Sequence, residues 1–182
     1  AFNVSAMASS GLAATFSIVS GPATISGNTV TITGTGTVTV RASQAGNADW
    51  NAAANVDQSF NVAKAALTVT ADSKSRTYGA ENPALTASFS GFVNSETLAT
   101  SGVTGSPSLT TSATTNSSVA GSPYTITAAV GTLSSANYSF SYVNGQLAIN
   151  KATLTVTAND TNRVYGAANP TFMASYSGFA ND

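Results

Sequence analysis

Residues 64–95 read KAALTVTADSKSRTYGAENPALTASFSGFVNS, and residues 151–182 read KATLTVTANDTNRVYGAANPTFMASYSGFAND. The second stretch starts 87 residues after the first (151 − 64) and aligns without a gap, with 19 of 32 positions identical. Chains rich in Ala, Ser and Thr share letters by chance. An ordered series such as Leu67/Leu154, Val69/Val156, Arg76/Arg163, Tyr78/Tyr165, Asn82/Asn169, Pro83/Pro170 and Phe92/Phe179 does not arise that way. A fixed period of this length marks a tandem repeat in which each copy is one structural unit. Residues 64–150 are then one complete unit and 151–182 the N-terminal part of the next. Residues 1–63 are the latter part of a more divergent unit without its first strands. The closing Phe60-Asn61-Val62-Ala63-Lys64-Ala65 matches Leu147-Ala148-Ile149-Asn150-Lys151-Ala152 in pattern. The chain is expected to be a window on a longer array.

Apolar alternation at period two runs through these units and predicts strands. Leu67, Val69 and Ala71 alternate with Thr68 and Thr70, and Leu85, Ala87 and Phe89 with Thr86, Ser88 and Ser90. Tyr124, Ile126 and Ala128 continue the pattern, as do Tyr138, Phe140 and Tyr142. In residues 138–150 the dipeptide Asn144-Gly145 sits between two alternating runs and predicts a type I′ hairpin turn. Strands are also predicted at 16–19, 24–33, 37–42 and 56–62, and no stretch sustains a helical period. About seven short strands per unit describe an antiparallel β-sandwich of immunoglobulin type. The joints, from Phe60 to Leu67 and from Leu147 to Leu154, hold no Gly, Pro or polar linker. Such joints restrict rotation, unlike a Gly/Ser tether, and predict a semi-rigid rod.

Composition narrows the chemistry. The chain of 182 residues has six Lys plus Arg, seven Asp plus Glu, no Cys and no His, against 27 Thr and 26 Ser. Thiolate and imidazole metal sites, disulfides, Ser-His-Asp triads and Cys nucleophiles are excluded. A net charge of −1 without a basic cluster lacks the footprint of a nucleic-acid binder. No apolar run approaches the roughly 18 residues of a membrane span. Apolar residues make up 42 %, which is enough for packed cores and argues against disorder.

The segments KAxLTVTAxxxxRxYGAxNP, SGFxN and ANYSFSYVNGQLAINKA resemble the mostly bacterial Ig-like (MBG) repeat, over all of 64–150 and part of the next unit. Residues 1–63 resemble a related bacterial Ig-like unit, with Trp50 standing where Tyr is expected. The resemblance implies tandem Ig-like domains in secreted or surface-anchored proteins, where such units are spacers or adhesive modules. It implies no catalytic residues and no cofactor.

Six features remain as candidates for function. Residues 29–40, TVTITGTGTVTV, offer a threonine ladder from Thr29 to Thr39 for ice or a crystalline polysaccharide; the plainer reading is strand, Gly turn and strand, with Val and Ile inward. Trp50, beside Asp49 and Asn51, is either a sugar-stacking platform or an apolar plug at the sandwich end. The turn Tyr78-Gly79-Ala80-Glu81-Asn82-Pro83 recurs as Tyr165-Gly166-Ala167-Ala168-Asn169-Pro170. It reads as a structural corner in which Gly supplies positive φ, Pro sets the next strand and the Tyr hydroxyl anchors. The acids Asp49, Asp57, Asp72, Glu81, Glu96, Asp160 and Asp182 fall on loops of different units, without a paired-carboxylate or calcium-loop pattern. Lys64 and Lys151 open the repeating strands, which leaves an intramolecular Lys–Asn isopeptide bond open. Strand edges carry almost no charge, and such edges invite lateral association.

The sequence therefore predicts an all-β, non-enzymatic structural segment of a large bacterial extracellular protein, either a semi-rigid stalk or a self-associating fibre. The expected partners are neighbouring Ig-like domains and further copies of the chain, with surface glycans at Trp50 as the competing reading. Neither nucleic acid nor membrane insertion is expected.

Overall fold

The structure, a computed structural model, describes residues 1–180; Asn181 and Asp182, the last positions of the partial repeat, lie outside the described residues. Among the described residues every regular element is a strand except one short 3₁₀ turn, Val119–Gly121. The chain folds into two compact units.

The first unit comprises Ala1–Leu67, Gly91–Thr104 and Ser134–Ser139. Its strands are β1 (Phe2–Asn3), β2 (Thr15–Ser20), β3 (Ala23–Ser26), β4 (Thr29–Ile32), β5 (Gly36–Ser43) and β6 (Val56–Val62). They form two antiparallel sheets, β1-β4-β3 and β2-β5-β6. Alternation turns Val30 of β4 and Val38 and Val40 of β5 inward, where Phe16, Ile18, Ile25, Ile32, Phe60 and Val62 pack on them. Burying a side chain of this kind contributes about 1.5–3 kcal/mol. The single strand expected over 24–33 is in fact two. Ser26 pairs with Thr29 across the two-residue turn Gly27-Asn28, and Gly27 at φ 60° takes the first central position of a type II′ turn.

The second unit comprises Thr68–Ser90, Gly105–Leu133 and the chain from Phe140 onward. The strands that follow β6 are β7 (Ala65–Ala71), β8 (Lys74–Thr77), β9 (Ala87–Ser90), β10 (Ser108–Thr111), β11 (Tyr124–Ala129), β12 (Tyr138–Val143) and β13 (Gly145–Asn150). One sheet has the order β10-β11-β13-β8 and the other β12-β7-β9. Leu67, Val69 and Ala71 are buried on alternate positions of β7, and Ile126, Ala128, Leu147 and Ile149 on β11 and β13. Strands β8 and β13 pair in parallel, Leu147↔Lys74 through Asn150↔Thr77, so the expected antiparallel sandwich contains one parallel ladder.

The Asn144-Gly145 hairpin turn expected from the sequence does not form. Strand β12 lies beside β7 and β13 between β11 and β8, in different sheets, and neither residue takes the positive φ of a type I′ turn. Gly145 is instead a point of close approach: a Cβ there would lie 2.4 Å from the carbonyl oxygen of Ala71. Asn144 Oδ1 accepts the Ala128 N–H at 3.1 Å, tying the crossing segment to β11.

Strands β14 (Thr155–Ala158) and β15 (Ala174–Ser177) pair antiparallel, Thr155↔Ser177 through Ala158↔Ala174. They correspond to β7 and β9, yet Leu154, Val156, Tyr176 and Phe179 are exposed whereas Leu67 and Val69 are buried. The difference is one of coverage: among the described residues no further strand joins β14 and β15.

Candidate functional site

The Trp50 loop connects β5 to β6. Asn47 Oδ1 accepts the backbone N–H groups of Asp49 and Trp50, both at 2.9 Å, and the Asn47 N–H donates to the Trp50 carbonyl at 2.9 Å. This Asx-type closure presents Trp50 to solvent at 55 % exposure, with Asp49 and Asn51 exposed beside it. Trp50 thus does not plug the sandwich end. The loop offers an aromatic face flanked by a carboxylate and an amide.

The threonine run is split between two sheets. Thr29 and Thr31 lie on β4, Thr37 and Thr39 on β5, and the chain changes sheet between them. A flat ladder from Thr29 to Thr39 does not exist, because the two buried valine sets face each other across the core.

The Tyr-Gly turns are superimposable in their hydrogen bonding. Ala80 N donates to Thr77 O and Ala167 N to Val164 O, both at 3.1 Å, with φ of 82° at Gly79 and 83° at Gly166. Glycine at the third position with this φ makes each a type II turn. The Tyr78 N–H donates to Asn150 O at 2.8 Å, fastening the turn to the end of β13. The hydroxyl-anchor role falls elsewhere. Tyr124 donates to Ser118 O at 3.1 Å, and Tyr138 donates to Glu96 Oε2 at 2.6 Å while accepting the Val93 N–H at 3.1 Å. Tyr165 is fully exposed, and among the described residues Asn169 shows neither of the side-chain bonds that Asn82 makes to Arg76 and Ala113.

Beneath the first of these turns lies a group that sequence reasoning passed over. Arg76 is buried at 7 % exposure. Its Nε donates to Asn82 Oδ1 at 2.8 Å, and its two terminal nitrogens donate to the carbonyls of Thr77 and Thr114. Asn82 Nδ2 donates to Ala113 O at 2.6 Å, so the Arg76–Asn82 pair ties β8 and the Asn-Pro segment to the loop after β10. Arg163 and Asn169, the same residues one period on, show the signal that was available: an Arg and an Asn six positions apart in both copies.

The carboxylates serve local contacts. Arg41 grips Asp57 in two parallel bonds of 2.7 Å, which raise the Arg41 pKa and hold the Asp57 carboxyl below the usual range. A hydrogen bond from Thr86 at 2.5 Å lowers Asp72 in the same sense. The Glu96 carboxylate, by accepting its hydrogen bond, raises the Tyr138 hydroxyl above 10.0. Among the described residues no three acids converge in a way that would hold a metal ion. The Lys64 ammonium donates to Ser135 O at 2.8 Å. An open apolar groove of about 670 Å³ runs along the first unit between Phe2, Val4, Phe16, Val56 and Phe60.

Comparison with known proteins gives one match. The family model described as MBG domain (YGX type) matches residues 67–148 and again residues 154–182. No curated protein and no solved structure matches the chain.

Proposed function

The chain belongs to the family of MBG domains of the YGX type, and on that premise we propose that it is a non-enzymatic structural segment of a large bacterial surface or secreted protein, a semi-rigid stalk of tandem Ig-like sandwiches. The single observation that carries the reading is the 87-residue recurrence, met again as two family matches beginning at 67 and 154. Short joints support it: β6 ends at Val62 and β7 begins at Ala65, while β13 ends at Asn150 and β14 begins at Thr155. Hydrophobic clusters between sheets resist unfolding, and a Thr- and Ser-rich exterior supplies hydration without charge. MBG repeats occur in surface proteins, and among the described residues no helix is long and apolar enough to cross a membrane. Small-angle X-ray scattering of this chain tests the reading. An elongated particle with one well-defined maximum dimension is expected, and a compact or broadly flexible ensemble would overturn it.

A second reading is favoured by the exposure of Trp50 between exposed Asp49 and Asn51. Here the first unit is a carbohydrate-binding adhesin module, with a sugar ring stacking on the indole and hydroxyls meeting the flanking carboxylate and amide. Glycan retention that disappears in Trp50→Ala, with folding intact, supports it; unchanged retention removes it. Lateral association into a fibre through the uncharged edges β9 and β10 is the third, and it predicts concentration-dependent filaments.

A further inference from the structure

The start of a repeat's first strand and its Ser-Gly-Phe turn fold into one surface. Gly91 follows Ser90 at φ 105°, and Gly178 follows Ser177 at φ 94°. A Cβ on Gly91 would lie 2.7 Å from Ala66 O, and one on Gly178 2.4 Å from Thr153 O. Only glycine lets the turn press against the first strand this closely. The result places Ala65 beside Val93 in the complete repeat and Ala152 beside Ala180 in the next, the same two positions one period apart.

Both copies of this face meet the element that precedes them. At the first joint Ala65 and Val93 share a cleft with Ile32 and Val62. Hydrogen bonds join the two sides: Thr35 N to Asn137 Oδ1 at 3.3 Å and Thr35 Oγ1 to Ala136 O at 2.9 Å. All these residues belong to the first compact unit. At the second joint Ala152, Leu154, Phe179 and Ala180 share a cleft with Tyr78 and Val119, all within the second unit. In residues 151–180 Ala152, Pro170 and Ala180 are half-buried and the others exposed, so two of the three lie on this face. A two-stranded hairpin is marginally stable by itself in water. The β14–β15 pair therefore depends on what it touches.

We propose that this Ala-and-turn face is the docking surface by which each repeat seats on the one before it, and that Tyr78 of the Tyr-Gly turn is the residue of the preceding repeat that fills it. The partner is thus another copy of the same repeat. The proposal deepens the stalk reading and rests on it. The fold aims Tyr78 accordingly: its N–H is fastened to Asn150 O, one residue before Lys151 opens the next repeat, and Arg76 with Asn82 holds the turn from beneath. At the first joint Thr33–Gly34–Thr35 stands in place of a Tyr-Gly turn, and Thr35 makes its hydrogen bonds there.

Hydrogen exchange of the whole chain tests the proposal, read at the amides of β14 and β15. Tyr78→Ser, on one side of the cleft, and Phe179→Ser, on the other, are each expected to speed exchange in β14–β15 at least tenfold while β2–β6 stay unchanged. Tyr78→Phe and Tyr165→Ser are expected to exchange as the parent does. Unchanged β14–β15 exchange in Tyr78→Ser overturns the proposal. Should Tyr78→Ser unfold its own repeat, Phe179→Ser decides alone: local acceleration supports the docking face and no change removes it. A compact scattering profile from a chain that still shows the Tyr78 effect would remove the stalk and leave the interface standing.

Discussion

Replacing Arg76 by Met keeps an unbranched apolar stem and deletes the guanidinium. The structure states what is lost. Asn82 Oδ1 and the carbonyls of Thr77 and Thr114 each lose the donor supplied by a side chain that is itself only 7 % exposed. A buried acceptor left without a partner costs about 1–3 kcal/mol. Thr77, Asn82 and Thr114 are themselves exposed, so water replaces part of what is lost, and relief from burying a cation lowers the sum further, which puts the expected destabilisation at about 1–3 kcal/mol. The chain carries its own control in Arg163→Met. Arg163 occupies the same repeat position, but it is exposed and bonds only Ala167 O at 2.9 Å, so its replacement is expected to cost under about 0.5 kcal/mol. Urea unfolding followed by far-ultraviolet circular dichroism measures both. Equal losses in the two variants, or a loss below about 0.5 kcal/mol for Arg76→Met, would refute the claim that the guanidinium stabilises by bonding Asn82 and the two carbonyls.

A similar pair tests coverage of the repeated strand: Leu67→Ala at 0 % exposure is expected to cost about 2–5 kcal/mol, and Leu154→Ala at 49 % under about 1, by the same urea assay. Trp50→Ala, on an exposed side chain, is expected to leave stability within about 0.5 kcal/mol; a larger fall would mean that the ring packs on the fold. The pH profile follows from three groups. Asp57 and Asp72 have lowered pKa values, so their contribution is full above the ordinary carboxylate value of 3.8 and fades as pH falls through their folded values. Tyr138 is raised, so its contribution is full below 10.0 and is lost as pH climbs through the folded value. Urea midpoints should therefore form a plateau between these limits, and a slope centred near neutrality would contradict it.

Much of this architecture is legible in the sequence, because a sandwich strand is written by local alternation. Leu67-Thr68-Val69-Thr70-Ala71 announces β7 without reference to anything distant. The misreadings have different causes, and the first depends on which strand lies opposite. Asn144-Gly145 has the local chemistry of a hairpin turn, but the chain there crosses between sheets and the glycine answers to Ala71, more than seventy residues earlier in the sequence. Gly27-Asn28 carried its own signal and was passed over because Thr24, Ile25, Val30 and Thr31 read as one continuous β-prone run. The partnership of Arg76 with Asn82 was visible as a repeated spacing, whereas its carbonyl partners at Thr77 and Thr114 depend on folded geometry. Trp50 shows the limit of average burial preferences, since an Asx closure at Asn47 turns a residue that usually packs inward toward solvent.

The most direct test of the central claim, that these repeats are a structural element of the bacterial exterior, is electron microscopy of the native full-length protein at the cell surface and after release. Projections of uniform domain width with a regular axial repeat are expected. Their absence from the surface, with the protein recovered as compact particles, would contradict the account.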